Sequence, residues 1–379
     1  MKIVVLDITG RNAEQYNPAL CNKLSQYTSN ADIVLMAPTC YGSPHGFSYK
    51  KLCRFVPLSQ TSSTSKAKRL LRALESFTNY VIVLFQLLFN KVTVLHIQWL
   101  VFVEYSSIEH LFLKLFKYVR PKLKIILTVH NVFPHDLSPR GREIYKKRFL
   151  KIGKCIDGYI VHLESAKEEF ITSFGIEPSK VHVAYHGIYI ADNYNHIDKP
   201  KNGLIEIVMF GKHTKYKGAD ILIEALQLMP DAYKKKVHAS IIGTTDQELY
   251  AQYIGKAKSL GISWINRFVS DDELYSAIGQ SDLILLPYRK ISQSGALLLA
   301  LSYRKPVLTS RLPSFVETMK GYPSDYFFEP DNPRALAEMI IAFVDGKIDH
   351  ELMTKAIDGL NEIYSWDETA KRTIEAYGI

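Results

Sequence analysis

The sequence predicts an α/β fold built from two doubly wound, mainly parallel sheets that face each other across a cleft. Three observations carry that expectation. Strand-like and helix-like patterns alternate along the chain, as successive β-α-β units require. The stretches Ile205 to Gly211 and Leu283 to Tyr288 are continuous apolar runs, the mark of parallel strands covered on both faces. A polar segment rich in Asn, Pro and Gly, "ADNYNHIDKPKNG", divides the pattern into two series and reads as a linker. With 379 residues there is ample chain for two sizeable cores.

In the first series strands are expected at Lys2 to Leu6, Ile33 to Met36, Val92 to Gln98, Lys124 to His130, Tyr159 to Leu163 and Val181 to Tyr185. Asp7 follows only four or five apolar residues, so "MKIVVLDITG" reads as a first strand rather than a signal peptide. The apolar stretch Tyr80 to Val103 is split by Asn90 and Lys91 into pieces too short to span a bilayer, and is read as a buried helix followed by the strand "VTVLHIQ". The alternative is that Phe85, Leu88, Phe89, Trp99 and Phe102 help to seat the protein on a membrane surface. Ser59 to Arg69 is too polar for a core and is expected to be a loop that could cover an acceptor. In the second series strands are expected at Ile205 to Gly211, His238 to Gly243, Ile262 to Phe268, Leu283 to Tyr288, Pro306 to Thr309 and Tyr326 to Glu329. Asp271 and Glu273 read as the capped first turn of a helix.

Two strand-loop-helix junctions in the second series carry the chemistry. After Gly211 come Lys212 and Lys217, then Gly218 opening a helix; after Tyr288 come Ser292, Gln293, Ser294 and Gly295. Ligands of doubly wound sheets bind at strand C-terminal ends. A helix N-terminus there offers unpaired N–H groups and partial positive charge, small residues let an anion approach the backbone, and the lysines add full charges. Together they suit a diphosphate. For the first loop alone, an ordinary solvated turn of Lys212, His213, Lys215 and Lys217 is the alternative.

These junctions, with "HVAYHGI", "RFVSDDELYSAIGQSDLILLPY" and "YRKPVLTS" in the right order, resemble the retaining nucleotide-sugar glycosyltransferases of the GT-B fold, family 4. The likeness covers most of the chain from about Asp157 onward. In the first half it rests on "TVHNVFPHD" and "LHIQWL". It implies an acceptor-binding domain over 1–195, a nucleotide-sugar-binding domain over 204–365, and a helix 366–379 returning to the first domain. It also implies donor contacts from Gly211, Gly218, Phe268, Ser292, Gln293, Ser294 and Gly295, with His130, Lys212 and Lys217 as catalytic residues. Many family members carry two glutamates eight apart, where this sequence has Ile291 and Leu299; Gln293, Ser292 and Ser294 are expected to take over the polar contacts.

His130 ends the apolar strand "KIILTV", where its neutral imidazole could bond a sugar hydroxyl; capping the strand end is the structural alternative. His135, His162 and His186 read as structural, since a lone His at a strand end usually is. Asp7, Thr9, Gly10 and Arg11 occupy the first strand-to-helix loop, where a GT-B enzyme meets its acceptor. Retaining transfer implies a leaving diphosphate stabilised by Lys212, Lys217 and the helix near Ser294, with a leaving phosphate oxygen taking the acceptor proton. No metal or other cofactor is expected, and the sequence has no Asp-x-Asp triplet to bridge a Mg²⁺.

Residues 1 to 200 hold 26 Lys and Arg against 15 Asp and Glu, and the remainder 21 against 23, so the halves carry +11 and −2. Basic runs at Lys50-Lys51, "KAKRLLR" and "RGREIYKKRFLKIGK" suit anionic lipid headgroups or a polyprenyl diphosphate. No nucleic-acid module is recognised, so nucleic acid is not expected as a partner. The cysteines Cys21, Cys40, Cys53 and Cys155 show no metal-type spacing and fit a reducing cytosol, possible contact with the inner membrane face included. The partners implied are a nucleotide-sugar and a lipid-linked or oligosaccharide acceptor of bacterial capsule, exopolysaccharide or lipopolysaccharide synthesis. No Gly-x-Gly-x-x-Gly follows the first strand and no P-loop is present, against a dehydrogenase or an NTPase. A nucleotide-sugar epimerase, and a silent homologue that only binds, motivated by Ile291 and Leu299, stay open.

Overall fold

The structure is a computed structural model that describes residues 1–10, 16–28, 30–39, 46–55, 66–134, 137–188 and 203–379. Arg11, Cys40, His135, residues 59–65 of the polar segment and all but the last residue of the linker lie outside the described residues. Contacts divide the chain into two units, Met1–Gly187 with Trp366–Ile379, and Ile188–Ser365.

The first unit holds strands β1 (Lys2–Leu6), β2 (Asp32–Ala37), β3 (Ser48–Lys51), β4 (Val94–Ile97), β5 (Lys124–Thr128), β6 (Gly158–Val161) and β7 (Val181–Val183). They form one parallel sheet in the order β3-β2-β1-β4-β5-β6-β7. Its helices are α1 (Tyr16–Tyr27), α2 (Lys66–Phe89), α3 (Glu109–Val119), α4 (Pro139–Gly153) and α5 (Glu164–Phe174). Both faces of β1 are apolar. Val4 and Leu6 pack with α2, α3, α4 and α5, whereas Ile3 and Val5 pack with α1 and the C-terminal segment, so the period-2 alternation of a strand feeds two cores at once.

The second unit holds β8 (Ile205–Phe210), α6 (Ala219–Leu228), α7 (Asp231–Lys234), β9 (Val237–Ile242), α8 (Gln247–Ser259), β10 (Ser263–Ile265), α9 (Asp271–Gln280) and β11 (Leu283–Leu286). After them come α10 (Gly295–Ser302), β12 (Val307–Ser310), α11 (Pro313–Thr318), β13 (Phe327–Phe328), α12 (Pro333–Val344) and α13 (His350–Ile363). The sheet is again parallel, in the order β10-β9-β8-β11-β12-β13. In both sheets the strand order reverses beside the first strand, between β1 and β4 and between β8 and β11. Open α/β sheets bind ligands in the crevice at such a switch point, beyond the strand C-terminal ends.

Three readings of the sequence are corrected. Helix α2 begins at Lys66, inside the expected polar loop, and it is not wholly buried, because Phe85, Leu88 and Phe89 face outward. Strand β3, "SYKK", was not anticipated; it is a polar edge strand with no apolar signal, held by register with β2 from Val34↔Ser48 to Ala37↔Lys51. Expected strands such as Ile262 to Phe268 are longer than the ladder, since apolar residues continue into the loops; β10 keeps only Ser263–Ile265.

The last helix, α14 (Trp366–Tyr377), packs on α1, β5, β6 and β7. Trp366 is buried edge-on to Tyr16, with ring centroids 5.3 Å apart. A Cβ on Gly187 would lie 2.3 Å from the indole, so only glycine lets the chain pass this ring. Thr369 donates to the Tyr185 carbonyl at 2.7 Å, and Lys124 donates to the Tyr377 carbonyl at 2.8 Å. Removing the indole leaves a cavity between α1, α14 and the sheet. Trp366→Ala is expected to destabilise the first unit by about 3–5 kcal/mol, visible as a lower midpoint for the transition of that unit in urea.

Candidate functional site

At the switch point of the second sheet, the loops after β8 and β11 are cross-linked by one buried carboxylate. Asp220, in the first turn of α6 and 2 % exposed, accepts from Arg289 Nη1 and Nη2 at 2.9 and 3.0 Å and pairs with Lys215. Burial alone would raise its pKa, but the bonds from Arg289 and Lys215 win and hold it below the usual carboxylate value. Arg289 also donates to the Lys215 carbonyl at 2.7 Å and pairs with Asp331 at 2.7 Å, and its backbone N–H reaches the Tyr216 carbonyl at 2.7 Å. Two of the positive charges near this edge, Lys215 and Arg289, are therefore committed to Asp220.

Lys217 and Lys212 are different. Lys217 Nζ stands 5.3 Å from the centre of the Tyr288 ring, and a Cβ on Gly211 would come within 3.0 Å of it. Among the described residues it makes no ion pair within 4.0 Å. Burial lowers its pKa to about 8. Lys212 is exposed beside it. His213, expected as part of a solvated turn at most, is fully buried: its backbone N–H reaches the Thr244 carbonyl at 2.7 Å, and its Nε2–H donates to the Ile242 carbonyl at 3.1 Å. That leaves His213 Nδ1 as a buried acceptor with no partner, and the Thr214 hydroxyl is in the same position. Burial lowers the His213 pKa to about 4, so the ring is neutral. The Thr214 hydroxyl can donate, and with the unpaired Lys217 ammonium it suits a polar, anionic ligand, whereas His213 Nδ1 calls for a donor.

Glycine is required here for steric reasons. Gly218 takes φ +76°, and a Cβ would stand 2.0 Å from the Pro287 carbonyl oxygen, where the start of α6 crosses the end of β11. Across the second loop, Ser294 caps α10 by accepting from the Leu297 N–H at 3.2 Å, and Gly295 is the first helical residue. The N–H groups of the first turn have no acceptor within the helix. Ser292 and Gln293 are partly buried in the loop before it. Ile291 is partly buried with its carbonyl accepting from Ser314 Oγ at 2.9 Å, and Leu299 is partly buried on α10. Phe268 is 83 % exposed just after β10, beside the Ser270–Glu273 capping box that opens α9.

At the switch point of the first sheet the described charged groups are tied into the loop: Arg54 Nη2 donates to the Thr9 carbonyl at 2.9 Å. Asp7 is buried, and its Oδ1 accepts from Thr9 N, Thr9 Oγ1 and Gly10 N at 3.0, 2.7 and 2.9 Å, while Oδ2 accepts from Asn17 at 2.9 Å. The polar groups of Thr9 and Gly10 thus shape the loop itself. His130, His162 and His186 are not isolated, as the sequence suggested, but surround Tyr16 at ring-centroid distances of 5.4, 5.7 and 4.8 Å. Burial depresses all three, His130 well below the usual imidazole value, His162 to about 4 and His186 to about 3. Neutral rings fix the direction of the bonds. His162 Nδ1–H must donate to the Ala184 carbonyl at 2.8 Å, so its Nε2 accepts from His130 Nδ1–H at 3.2 Å. His130 Nε2 is then an acceptor, 3.1 Å from the Gln98 amide, whose NH₂ must be the end turned toward it. The His130 ring also stacks on Trp99 at 4.5 Å. Trp99 and Phe102 therefore pack inward rather than forming a surface patch, Phe102 stacking at 6.3 Å from Tyr80.

Residues 30–192 match the family described as Glycosyltransferase Family 4, and residues 205–345 match Glycosyl transferases group 1. Both halves of the chain are thus similar to glycosyltransferase domains. A GDP-mannose:glycolipid 4-beta-D-mannosyltransferase of Xanthomonas campestris is 25% identical over 187 residues, covering 48% of this chain and 49% of that protein. The chain thus spans about half the length of the curated relatives it matches. Among solved structures, Anabaena HepE in complex with UDP aligns over 100% of both chains with TM-score 0.69 and 14% identity. The apo lipopolysaccharide outer core galactosyltransferase WaaB aligns over 99% of both with TM-score 0.62 and 13% identity. The fold is that of GT-B glycosyltransferases.

The second unit brings Gly211, Lys212, Lys217, Gly218, Ser294 and Gly295 to one switch point, with Phe268 at another strand end of the same sheet edge. Sequence reasoning missed Asp220, Arg289 and the burial of His213. An acid two residues after the helix-opening glycine was the available sign of the first. Gly218→Ala is expected to cost roughly 2–3 kcal/mol, because it combines a positive φ with a clash against backbone; the melting temperature of the purified protein reads it directly.

Proposed function

We propose that this chain transfers a sugar from a nucleotide-sugar donor to a lipid-linked or oligosaccharide acceptor in the assembly of a bacterial surface polysaccharide. The observation that carries this reading is the unpaired, partly buried Lys217 ammonium over Gly211, with Lys212 and the start of α10 at the same switch point. A diphosphate supplies the missing negative charge and acceptor atoms. Similarity to glycosyltransferase domains in both halves supports the reaction class. The UDP held by HepE and the glycolipid named for the Xanthomonas enzyme support these classes of donor and acceptor.

The bond from the sugar C1 to the diphosphate oxygen breaks as the acceptor oxygen bonds to C1. Lys217, Lys212 and the N–H groups at the start of α10 stabilise the departing charge electrostatically. A leaving phosphate oxygen takes the acceptor proton on the same face, which gives retention and needs neither a metal nor a carboxylate nucleophile. His130 is neutral, with both ring nitrogens bonded to His162 and Gln98, so it acts by ordering the polar groups of the first sheet edge rather than as a proton donor. The work is done in the cytoplasm at the inner membrane face, where the positive first half is drawn to anionic lipid.

Melting curves with UDP, GDP, ADP and their sugar conjugates test the donor site, because a ligand of the folded state raises apparent stability by mass action. One nucleotide family is expected to raise the melting temperature, and Lys212→Ala with Lys217→Ala to abolish the shift. No shift with any of them at millimolar concentration would favour a silent scaffold instead. The anomeric configuration of product, read by NMR, tests retention; a β-linked product from an α-linked donor would overturn it.

A pH dependence follows from Lys217. The free group is charged below about 8 and loses its proton above it, and a diphosphate binds the charged form. Affinity for the nucleoside diphosphate is therefore highest below that value and falls as pH rises through it, with a limiting slope of about tenfold per pH unit. Lys217→Arg, always charged, is expected to flatten this profile between pH 7 and 9 in calorimetric titrations.

A further inference from the structure

Two neighbouring helices of the first unit leave a continuous apolar face uncovered. Helix α2 sends Tyr80, Val83 and Leu87 into the core, while Leu70, Leu74, Phe77, Phe85 and Leu88 are exposed at spacings that place them on one stripe of the opposite side. Helix α3 repeats the pattern, burying Leu113 and Phe116 and exposing Leu111, Leu115 and Tyr118. The exposure is large: 72 % for Leu70, 64 % for Leu111 and 83 % for Tyr118. The stripes lie side by side. Phe77 meets Phe112 edge-on at 5.2 Å, and Arg120 beyond the end of α3 donates to the Leu87, Leu88 and Asn90 carbonyls at 2.6, 3.1 and 2.9 Å.

Charge on this face has one sign. The two helices contain just two acids, Glu75 and Glu109, and both are turned inward, Glu109 accepting from Tyr80 at 2.7 Å and Glu75 from the Phe55 N–H. Lys114 is exposed within the Leu111, Leu115 and Tyr118 stripe. An outward helix surface of Leu, Phe, Tyr and Lys without an acid is poorly matched to water and well matched to a headgroup layer, where apolar side chains sink and long basic ones reach phosphates. We propose that the α2–α3 face lies in the interface of an anionic lipid bilayer. None of the described helices is long and apolar enough to cross a membrane, so α2 and α3 lie in the interfacial plane. A second copy of the chain is a worse occupant: a two-fold contact on this face would bring the Lys114 side chains together with no outward acid on either helix to pair them. The proposal deepens the function above and rests on it for the lipid-linked acceptor that such seating would bring within reach.

Flotation of the full chain with vesicles tests it. Binding is expected to vesicles of phosphatidylcholine containing roughly one-third phosphatidylglycerol, weakening in high salt and far less to phosphatidylcholine alone. Leu111→Glu with Leu115→Glu is expected to lower binding by about tenfold or more, and Lys114→Glu to weaken it, with the melting temperature and the nucleotide-induced shift unchanged. Wild type that stays unbound would overturn the proposal. So would a wild-type dimer that the leucine double variant turns into a monomer without any effect on vesicles. Vesicle binding without any nucleotide shift would instead uphold this surface and overturn the donor reading.

Discussion

The second domain turns on the Asp220 carboxylate. Buried at the start of α6, it is tolerable only because Arg289 grips it with two nitrogens and Lys215 approaches from its own loop. Arg289 and Asp220 are 69 residues apart in sequence and come from the two loops that flank the switch point. Their bond therefore fixes the distance between those loops. It also sorts the cations: of the three lysines in the loop after β8, Lys215 is locked into structure with Arg289 of the facing loop, and Lys212 and Lys217 stay outside that pair. Gly218 belongs to the same constraint, since α6 can begin where Asp220 needs it only if nothing larger than hydrogen faces the Pro287 carbonyl.

The first domain meets the same topological situation with different groups. Its switch point is lined by imidazoles that burial keeps neutral, ordered by a chain of donors and acceptors ending on the Ala184 carbonyl. Neutral groups of fixed polarity suit hydroxyl-bearing partners, and cations suit phosphates. Thus the second sheet edge keeps two lysines outside its ion pairs, and the described histidines of the first are ordered by hydrogen-bond direction. Among the described residues, Asp7 and Asp220 are both spent on their own loops.

Much of this was legible in sequence wherever burial writes a continuous apolar run. Strand β1 was read to the residue, β8 to within one, and Gly211, Lys217 and Gly218 were placed at a strand end because a parallel strand must deliver its loop there. Strand β3 could not be read, because an exposed edge strand needs no apolar side chains. The Asp220–Arg289 pair could not be read either, since long-range ion pairs leave no local period. The histidines looked solitary because β5, β6 and the end of β7 are adjacent only in the folded sheet. For α2 the periodicity gave the helix, but an apolar residue on the far side of a helix looks, in sequence, like one facing a core.

Ile291 and Leu299 acquire meaning from these charges. A carboxylate at either place would bring negative charge to the edge that carries Lys212 and Lys217. With Ile291 turned to holding Ser314 through its carbonyl and Leu299 packed on α10, that edge keeps its full positive potential. Burial rather than a counter-ion then sets the protonation of Lys217. The trade is specific: binding of a diphosphate gains, because nothing competes with it for the lysines, and recognition of neutral hydroxyls loses two strong acceptors. On the proposed function, donor selection rests more on phosphate and base, through the lysines and exposed Phe268, than on the pattern of sugar hydroxyls. On the same reading, what hydroxyl recognition remains falls to the polar side chains of the Ser292 to Ser294 loop.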